Sequence, residues 1–151
     1  MKRKSIAAWA CFSLFLVLAL LPLALSSGCG STERTLTIKD VKLDEQDLKG
    51  WKLKEEVTAT PGNAAPKSIV PDLYKAGAVT VLNQVFVKDG RNLQINYVQM
   101  KNAKDAEHAE AMLEAAVNGT NYIGSRENLA IEIMGTMEDT TLAAKELSLS
   151  L

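Results

Sequence analysis

Few histidine or cysteine side chains are present in this sequence to form a catalytic or metal site. The chain has one histidine, His108, and two cysteines, Cys11 and Cys29. Nucleophilic catalysis would need a serine or cysteine paired with the histidine, and a zinc site would need three or four ligands. Because neither pattern surrounds His108, we expect it to lie on the exposed polar side of a helix, and we expect no metal and no cofactor.

Carboxylates are more numerous, with 18 Asp and Glu residues, but they form no recognisable motif. Glycoside hydrolysis, for example, needs two carboxyl groups about 5–10 Å apart in one cleft. The sequence does not predict such a convergence for the carboxylates considered, which are Glu55, Glu56, Asp72 and Glu132. We therefore expect that the protein is not an enzyme, and a hydrolase with a carboxylate site is the less favoured alternative.

Cys29 follows a segment with the physical features of a bacterial export signal. Basic residues at positions 2–4 precede an apolar run over residues 6–25, and small residues occupy positions 26–28. The positive charges stay in the cytoplasm while the apolar run enters the bilayer, and small residues suit the processing point. The sequence thus predicts a signal peptide over residues 1–28.

Residues 25–29 resemble the lipobox of bacterial lipoproteins, in which the cysteine receives a diacylglyceryl group on sulfur and becomes the mature N-terminus. Gly28 fits that family, whereas Ser26 stands where the family usually has leucine. The resemblance implies lipid attachment with acyl chains such as palmitate at Cys29, and a location on the extracytoplasmic side of the cell membrane. Gly30 is not the aspartate that commonly retains lipoproteins at the inner membrane, so in a two-membrane cell the implied location includes the outer membrane.

Two other fates of the leader stay open. An apolar run of about 20 residues can span a bilayer as an uncleaved helix, which Pro22 disfavours, and cleavage after Ser26 would release a soluble protein. The cysteine count favours lipidation, because Cys11 lies within the leader and Cys29 is then the one thiol of the mature chain, so no internal disulfide can form. Two acyl chains on its sulfur would anchor the protein stably.

The mature chain is mildly acidic. Of the 17 Lys and Arg residues three lie in the leader, so 14 remain against 18 Asp and Glu. Without a basic cluster there is no electrostatic footprint for nucleic acid, and we expect none to bind. The length suits a short lipidated tether over residues 29–34 and one domain over residues 35–151.

Periodicity and turn residues predict an α+β domain, in which one main amphipathic helix packs on an antiparallel sheet. The predicted elements are strands over residues 35–39, 51–57, 79–88, 91–100 and 129–134, a short helix over 71–77, and a longer helix between Asn102 and Gly119. Trp51 is expected in the core or at its rim. Residues 136–151 fit either a short helix capped by Asp139 or Thr140 or a strand over residues 147–151.

The register of the central hairpin decides which side chains share a face. We expect a three-residue loop over residues 88–90, because it aligns Val81, Val85 and Val87 with the apolar Leu93, Ile95 and Tyr97. A two-residue Asp-Gly loop would shift the pairing by one position. In the expected register the opposite face is a candidate binding surface, consisting of Gln84, Phe86, Gln94 and Asn96.

These observations favour an exported, lipid-anchored envelope protein that binds an envelope protein or a small ligand without catalysis. The support is the leader together with the absence of any catalytic pattern in the sequence. A structural subunit of an envelope assembly is the alternative. Binding of a partner strand would need a complementary sheet edge, whereas catalysis would need converging carboxylates.

Overall fold

An antiparallel sheet of five strands forms the centre of the domain, and helices cover both of its faces. A computed structural model describes residues 35–117 and 121–149, which belong to one compact unit. The strands are β1 (Lys52–Ala59), β2 (Thr80–Lys88), β3 (Arg91–Gln99), β4 (Asn121–Arg126) and β5 (Leu129–Met134). The helices are α1 (Ile38–Val41), α2 (Val70–Lys75), α3 (Ala103–Ala116) and α4 (Met137–Glu146). The predicted α+β fold is confirmed.

The strands lie in the order β1-β2-β3-β5-β4, and each neighbouring pair is antiparallel. Short turns join β2 to β3 and β4 to β5, whereas α3 carries the chain from β3 to the edge strand β4. Within the described ranges, none of the helices is long and apolar enough to cross a membrane.

The face of the sheet that packs against α4, the α4 face, carries the larger core. Its buried strand residues are Leu82, Phe86, Leu93, Ile95, Tyr97, Leu129, Ile131 and Ile133. The residues that cover them include Leu36, Leu43, Leu48, Trp51, Ala143, Ala144 and Leu147. Full burial of a large apolar side chain contributes about 1.5–3 kcal/mol, so this layer is the main apolar source of stability. Trp51 is 2% exposed, which confirms its predicted place in the core.

The opposite face, the α3 face, holds a smaller core. Strand residues Val81, Val98 and Ala130 pack against Leu73 of α2 and against Ala106, Ala109 and Leu113 of α3. The alanines allow α3 to approach the sheet closely, while His108 lies on the exposed side of the helix, as predicted. The described residues thus form a core on each face of the sheet and belong to one compact unit, as expected of a domain that folds by itself.

Most of the local predictions hold. The strand expected at 51–57 is β1, and the strand expected at 129–134 is β5. α2 begins with Pro71 in its first turn, and the Oδ1 of Asn102 caps α3 by accepting from the backbone N–H of Asp105 at 2.9 Å. The predicted stop of α3 at Gly119 lies outside the described residues.

The hairpin register differs from the prediction. Lys88 pairs with Arg91, so the loop contains two residues, Asp89 and Gly90. Both have positive φ, 50° and 76°, as a type I′ turn requires, and this turn matches the twist of the flanking strands. The three-residue loop is predicted on the assumption that the sheet buries one face, so that its apolar residues must share that face. The structure covers both faces, so apolar residues can be buried on either face.

The predicted helix of the C-terminal segment is α4, Met137–Glu146, whereas the alternative strand over residues 147–151 falls partly outside the described residues. The hydroxyl oxygen of Thr136, not Asp139 or Thr140, caps α4 by accepting from the Asp139 backbone N–H. The two oxygens of the buried Asp139 carboxylate also accept hydrogen bonds from one guanidinium nitrogen of Arg91, at 2.9 and 3.0 Å. The guanidinium carbon of Arg91 lies 5.6 Å from the centre of the Trp51 ring. This cluster attaches the start of α4 to the hairpin.

Residues 35–39 do not form the predicted strand. They belong to a segment, residues 35–43, that crosses the α4 face and is called the strap below; it contains only the short helix α1. Asn128, 2% exposed, holds its start: Oδ1 accepts from the Leu36 N–H at 2.7 Å, and Nδ2 donates to the Leu36 carbonyl at 3.0 Å. Nδ2 also donates to the Met100 carbonyl at 3.0 Å. The side-chain amide of Asn128 thus supplies the hydrogen bonds to Leu36 that the backbone of a neighbouring strand would otherwise make.

Further side chains hold the rest of the strap. Gln99 accepts from the Ile38 N–H at 3.3 Å, and the Tyr97 hydroxyl accepts from the Leu43 N–H at 3.1 Å. The Leu43 carbonyl accepts from Gln84 at 3.2 Å. Burial raises the pKa of the Tyr97 hydroxyl, which stays protonated inside the core.

Replacing Asn128 by alanine should destabilise the domain by about 3 kcal/mol, because the buried N–H and C=O of Leu36 would lose their partners. Urea denaturation of the chain produced from residue 30 measures the change. Asn92→Ala is the control, since Asn92 is exposed on β3 and should change the free energy of unfolding by less than about 0.5 kcal/mol. Equal effects of the two substitutions would contradict the role given to Asn128.

The ion pair between Lys42 and Glu56 should make stability depend on pH. The Lys42 ammonium lies 2.7 Å from a Glu56 carboxylate oxygen and lowers the pKa of that carboxyl, with a smaller contribution from Gln84, although desolvation opposes the shift. Because the folded-state pKa is lowered, the stabilisation is present above the unfolded value near 4.5 and is lost as pH falls through the folded value. Both side chains are about one-third exposed, so we expect only about 0.5 kcal/mol.

Lys42→Met should therefore lower the free energy of unfolding at neutral pH, and the difference from the unmodified domain should vanish in acid. Denaturation curves at a series of pH values measure it. Lys54→Met is the control: Lys54 lies on β1, the strand that carries Glu56, but it is exposed and should leave the pH profile unchanged. A difference that persists unchanged into acid would contradict the assignment.

Candidate functional site

The predicted surface residues are divided between the two faces of the sheet. Gln84 and Phe86 lie on the α4 face, 1% and 0% exposed, beneath the strap. Gln94 and Asn96 lie on the α3 face, because the two-residue turn pairs Gln84 with Ile95 and Asn83 with Asn96. The predicted grouping of these four residues is therefore wrong. Cys29, the predicted lipid attachment residue, lies outside the described residues.

Asn96 takes part in a different arrangement, in which polar side chains form a row across four strands, and Gln94 lies beside this row. We call Asn83, Asn96, Glu132 and Asn121 the amide ladder. Asn83 Nδ2 donates to Asn96 Oδ1 at 2.5 Å, and Asn96 Nδ2 donates to Glu132 Oε2 at 2.7 Å. Asn121 Nδ2 donates to Glu132 Oε1 at 2.8 Å. Register explains the row, because Asn83, Asn96 and Glu132 are directly paired across β2, β3 and β5.

A cavity of about 380 Å³, the ladder cleft, lies over this row. Its floor includes Asn83, Asn96 and Glu132, with Gln94 beside them. Apolar side chains form much of the walls: Val57, Ile69, Val70, Leu73, Val81 and Leu113. The volume is within the range of about 300–1,000 Å³ typical of small-molecule sites, and an apolar wall with a few polar groups is their usual lining.

The wall opposite the sheet comes from the loop between β1 and α2. Asn63 stabilises this loop, since its Oδ1 accepts from the Thr60 N–H at 2.6 Å and its Nδ2 donates to the Thr58 carbonyl at 3.0 Å. Tyr74 of α2 donates through its hydroxyl to the Ala59 carbonyl at 3.0 Å. The loop and α2 are thus fixed to the end of β1 and keep the cleft open.

A second cavity of about 540 Å³ adjoins the first, and the two share Ser68, Ile69, Leu113 and Glu132. The last turn of α3, residues 115–117, lines this second cavity. The last turn of a helix carries carbonyl groups without intrahelical partners and the negative end of the helix dipole. No basic residue lies in that turn of α3.

Glu132 is the polar centre of the site. It is 7% exposed, and its two carboxylate oxygens accept from neutral amide groups of Asn96 and Asn121. A carboxylate has about four acceptor positions, so about two remain for a molecule in the cleft. Within the described ranges, no ion pair joins Glu132 to a basic side chain.

The carboxylates considered from the sequence do not form a pair suited to glycoside hydrolysis. Glu55 and Glu132 both line the cleft, but β1 and β5 are three strand spacings apart, about 14 Å. Glu56 interacts with the strap residue Lys42, and Asp72 forms an exposed ion pair with Lys75 at 2.9 Å. Among the described residues no group of three or more His, Cys, Asp or Glu side chains could hold a metal ion.

Sequence reasoning missed Asn83 and Asn121, and it considered Glu132 only as a scattered carboxylate. Asn83 and Glu132 had a signal, since each is a polar residue in a strand whose alternate residues are apolar. Asn121 had none, because β4 was not predicted. The chain matches no protein-family model, no curated protein and no solved structure, so the function rests on the chemistry of the cleft.

Replacing Asn96 by alanine should lower the free energy of unfolding by about 1–3 kcal/mol, because Asn83 and Glu132 would each lose a partner at the centre of the ladder. Gln94→Ala is the matched control, since the amide of Gln94 contacts Asn96 at only 3.4 Å. Urea denaturation measures both. If the two substitutions have equal effects below about 0.5 kcal/mol, the ladder does not stabilise the sheet.

Proposed function

We propose that the protein is an exported lipoprotein of the cell envelope, anchored through Cys29, which binds a small ligand or a segment of an envelope protein in the ladder cleft without catalysis. The observation that carries the binding role is the amide ladder at the floor of a partly apolar cleft. The leader and its lipobox-like end support the location.

The geometry of the strap suits an anchored domain. Leu36 is held by Asn128, so six residues, 30–35, separate the predicted lipid from the first fixed point. Six extended residues reach at most about 20 Å, which would keep the domain close to the membrane. The strap crosses the α4 face and the ladder cleft lies on the α3 face, so the anchor need not obstruct the cleft.

A binding role fits this site better than hydrolysis does. Both oxygens of Glu132 accept hydrogen bonds from amide groups, and Glu55, the other acidic residue of the cleft, belongs to β1, whose backbone lies about 14 Å from that of β5. Amide groups supply both donors and acceptors at fixed positions, which orients a polar ligand, while the apolar wall contributes affinity.

Replacing Cys29 by serine should remove the protein from the membrane fraction, because the sulfur that accepts the lipid is lost. Intact-mass analysis should show that the unmodified protein begins at Cys29 and carries the mass of the acyl groups. Cys11→Ser is the matched control and should leave both properties unchanged, since Cys11 lies in the predicted leader. A protein that keeps its full leader, or that appears as a soluble unmodified fragment, would contradict lipid anchoring.

A further inference from the structure

We infer that the ladder cleft binds an alkylammonium group, with its positive charge at Glu132 and its methylene chain along the apolar wall. This inference rests on the proposed function of the cleft as a binding site, and it specifies the chemical class of the ligand. Three features of the described residues lead to it: the charge of the lining, the state of Glu132 and the direction of α3.

The charged residues that line the ladder cleft are all acidic. It includes the carboxylates Glu55 and Glu132, and no lysine, arginine or histidine of the described residues belongs to it. The described donors to the Glu132 carboxylate are neutral amides, so no cationic side chain of the ladder cleft pairs with it, and an unpaired buried carboxylate is unfavourable in a poorly solvated site. A cationic ligand would supply the missing charge.

The last turn of α3 adds to this potential. Residues 115–117 line the cavity that shares Glu132 with the ladder cleft, and the turn contains no basic side chain. Lys67 and Asp72, which carry opposite charges, also line that cavity. The negative end of the helix dipole therefore lies on the same side of the sheet as Glu132, and it favours a cation as well.

The rest of the lining favours an organic cation. Val57, Ile69, Val81 and Leu113 offer a hydrophobic surface, which a methylene chain can cover and a hydrated metal ion cannot. An ammonium group has three N–H donors, and the carboxylate of Glu132 has about two acceptor positions not used by Asn96 and Asn121. Charge-assisted hydrogen bonds of this kind are about twice as strong as neutral ones.

Two probes of equal length separate charge from hydrophobic contact: n-hexylamine, which is protonated at neutral pH, and 1-hexanol. Each is titrated into the ¹⁵N-labelled chain produced from residue 30, and the backbone shifts of the cleft residues give the affinities. We expect hexylammonium to bind at least about tenfold more tightly than hexanol, because only hexylammonium pairs with the carboxylate. This comparison requires no substitution.

Glu132→Gln should abolish the advantage of hexylammonium and leave the binding of hexanol nearly unchanged. Glu107→Gln is the matched control, since it removes the same charge from an exposed position of α3 outside the cleft and should keep the advantage. The backbone spectrum of each variant reports whether it is folded. If Glu132→Gln does not fold, the comparison of the two probes in the unmodified domain still decides.

The outcomes distinguish the inference from the proposed function. If both probes shift the cleft residues with equal affinity, the cleft binds ligands but the cationic class is overturned. If neither probe shifts them, the inference is overturned and the cleft also loses its support as a binding site. A blocked Gly-Lys-Gly peptide, compared with its norleucine counterpart, tells whether a lysine side chain can supply the ammonium group as a free amine does.

Discussion

The constraint on which this structure depends is that both faces of one antiparallel sheet are covered, so the polar groups under either cover need partners. Among the described side chains, Gln84 Oε1 is the one buried polar atom without a partner. On the α4 face the partners are backbone groups of the strap, which Asn128, Tyr97 and Gln84 hold by their side chains. On the α3 face the polar side chains are partners of one another. The need for hydrogen-bond partners thus attaches the strap to the α4 face, and on the α3 face it produces the polar floor of the ladder cleft.

The buried polar residues of the two faces differ in the hydrogen-bonding capacity that they leave for a ligand. Asn128 uses both of its N–H donors and one acceptor position of its oxygen on the backbone of Leu36 and Met100, and it is 2% exposed, so it has no donor to offer a ligand. Glu132 is also buried, but its two partners are single donors and carry no charge. Its negative charge and part of its acceptor capacity remain directed at a cavity, which explains why the candidate site is centred on Glu132 and not on the more deeply buried amides.

The sequence predicts those elements whose signals are local. Pro71 and the Asn102 cap mark two helices, and alternation marks β5, because caps and periodicity depend on neighbouring residues only. The alternation of Leu36 and Ile38 with threonines predicts a strand over residues 35–39, whereas the actual partners of this part of the strap are side chains up to 92 residues away. The predicted hairpin register is wrong for a related reason. The prediction assumes that one face of the hairpin is buried, whereas helices distant in the sequence cover the other face as well. The amide ladder depends on that register and on β4, so it could not be predicted.

The position of the strap also bears on how an anchored domain would tolerate force. A pull on residues 30–34 would reach Leu36 first, and its hydrogen bonds to Asn128 connect it to the β4–β5 turn at one end of the sheet. The floor of the cleft lies on the other face, and Glu132 is three residues further along β5 than Leu129, about 10 Å from that end. The load would therefore pass into the backbone of the sheet and not into the side chains of the ladder. On the proposal that Cys29 anchors the protein, the cleft would keep its geometry, because its floor lies away from the end of the sheet that would carry the load.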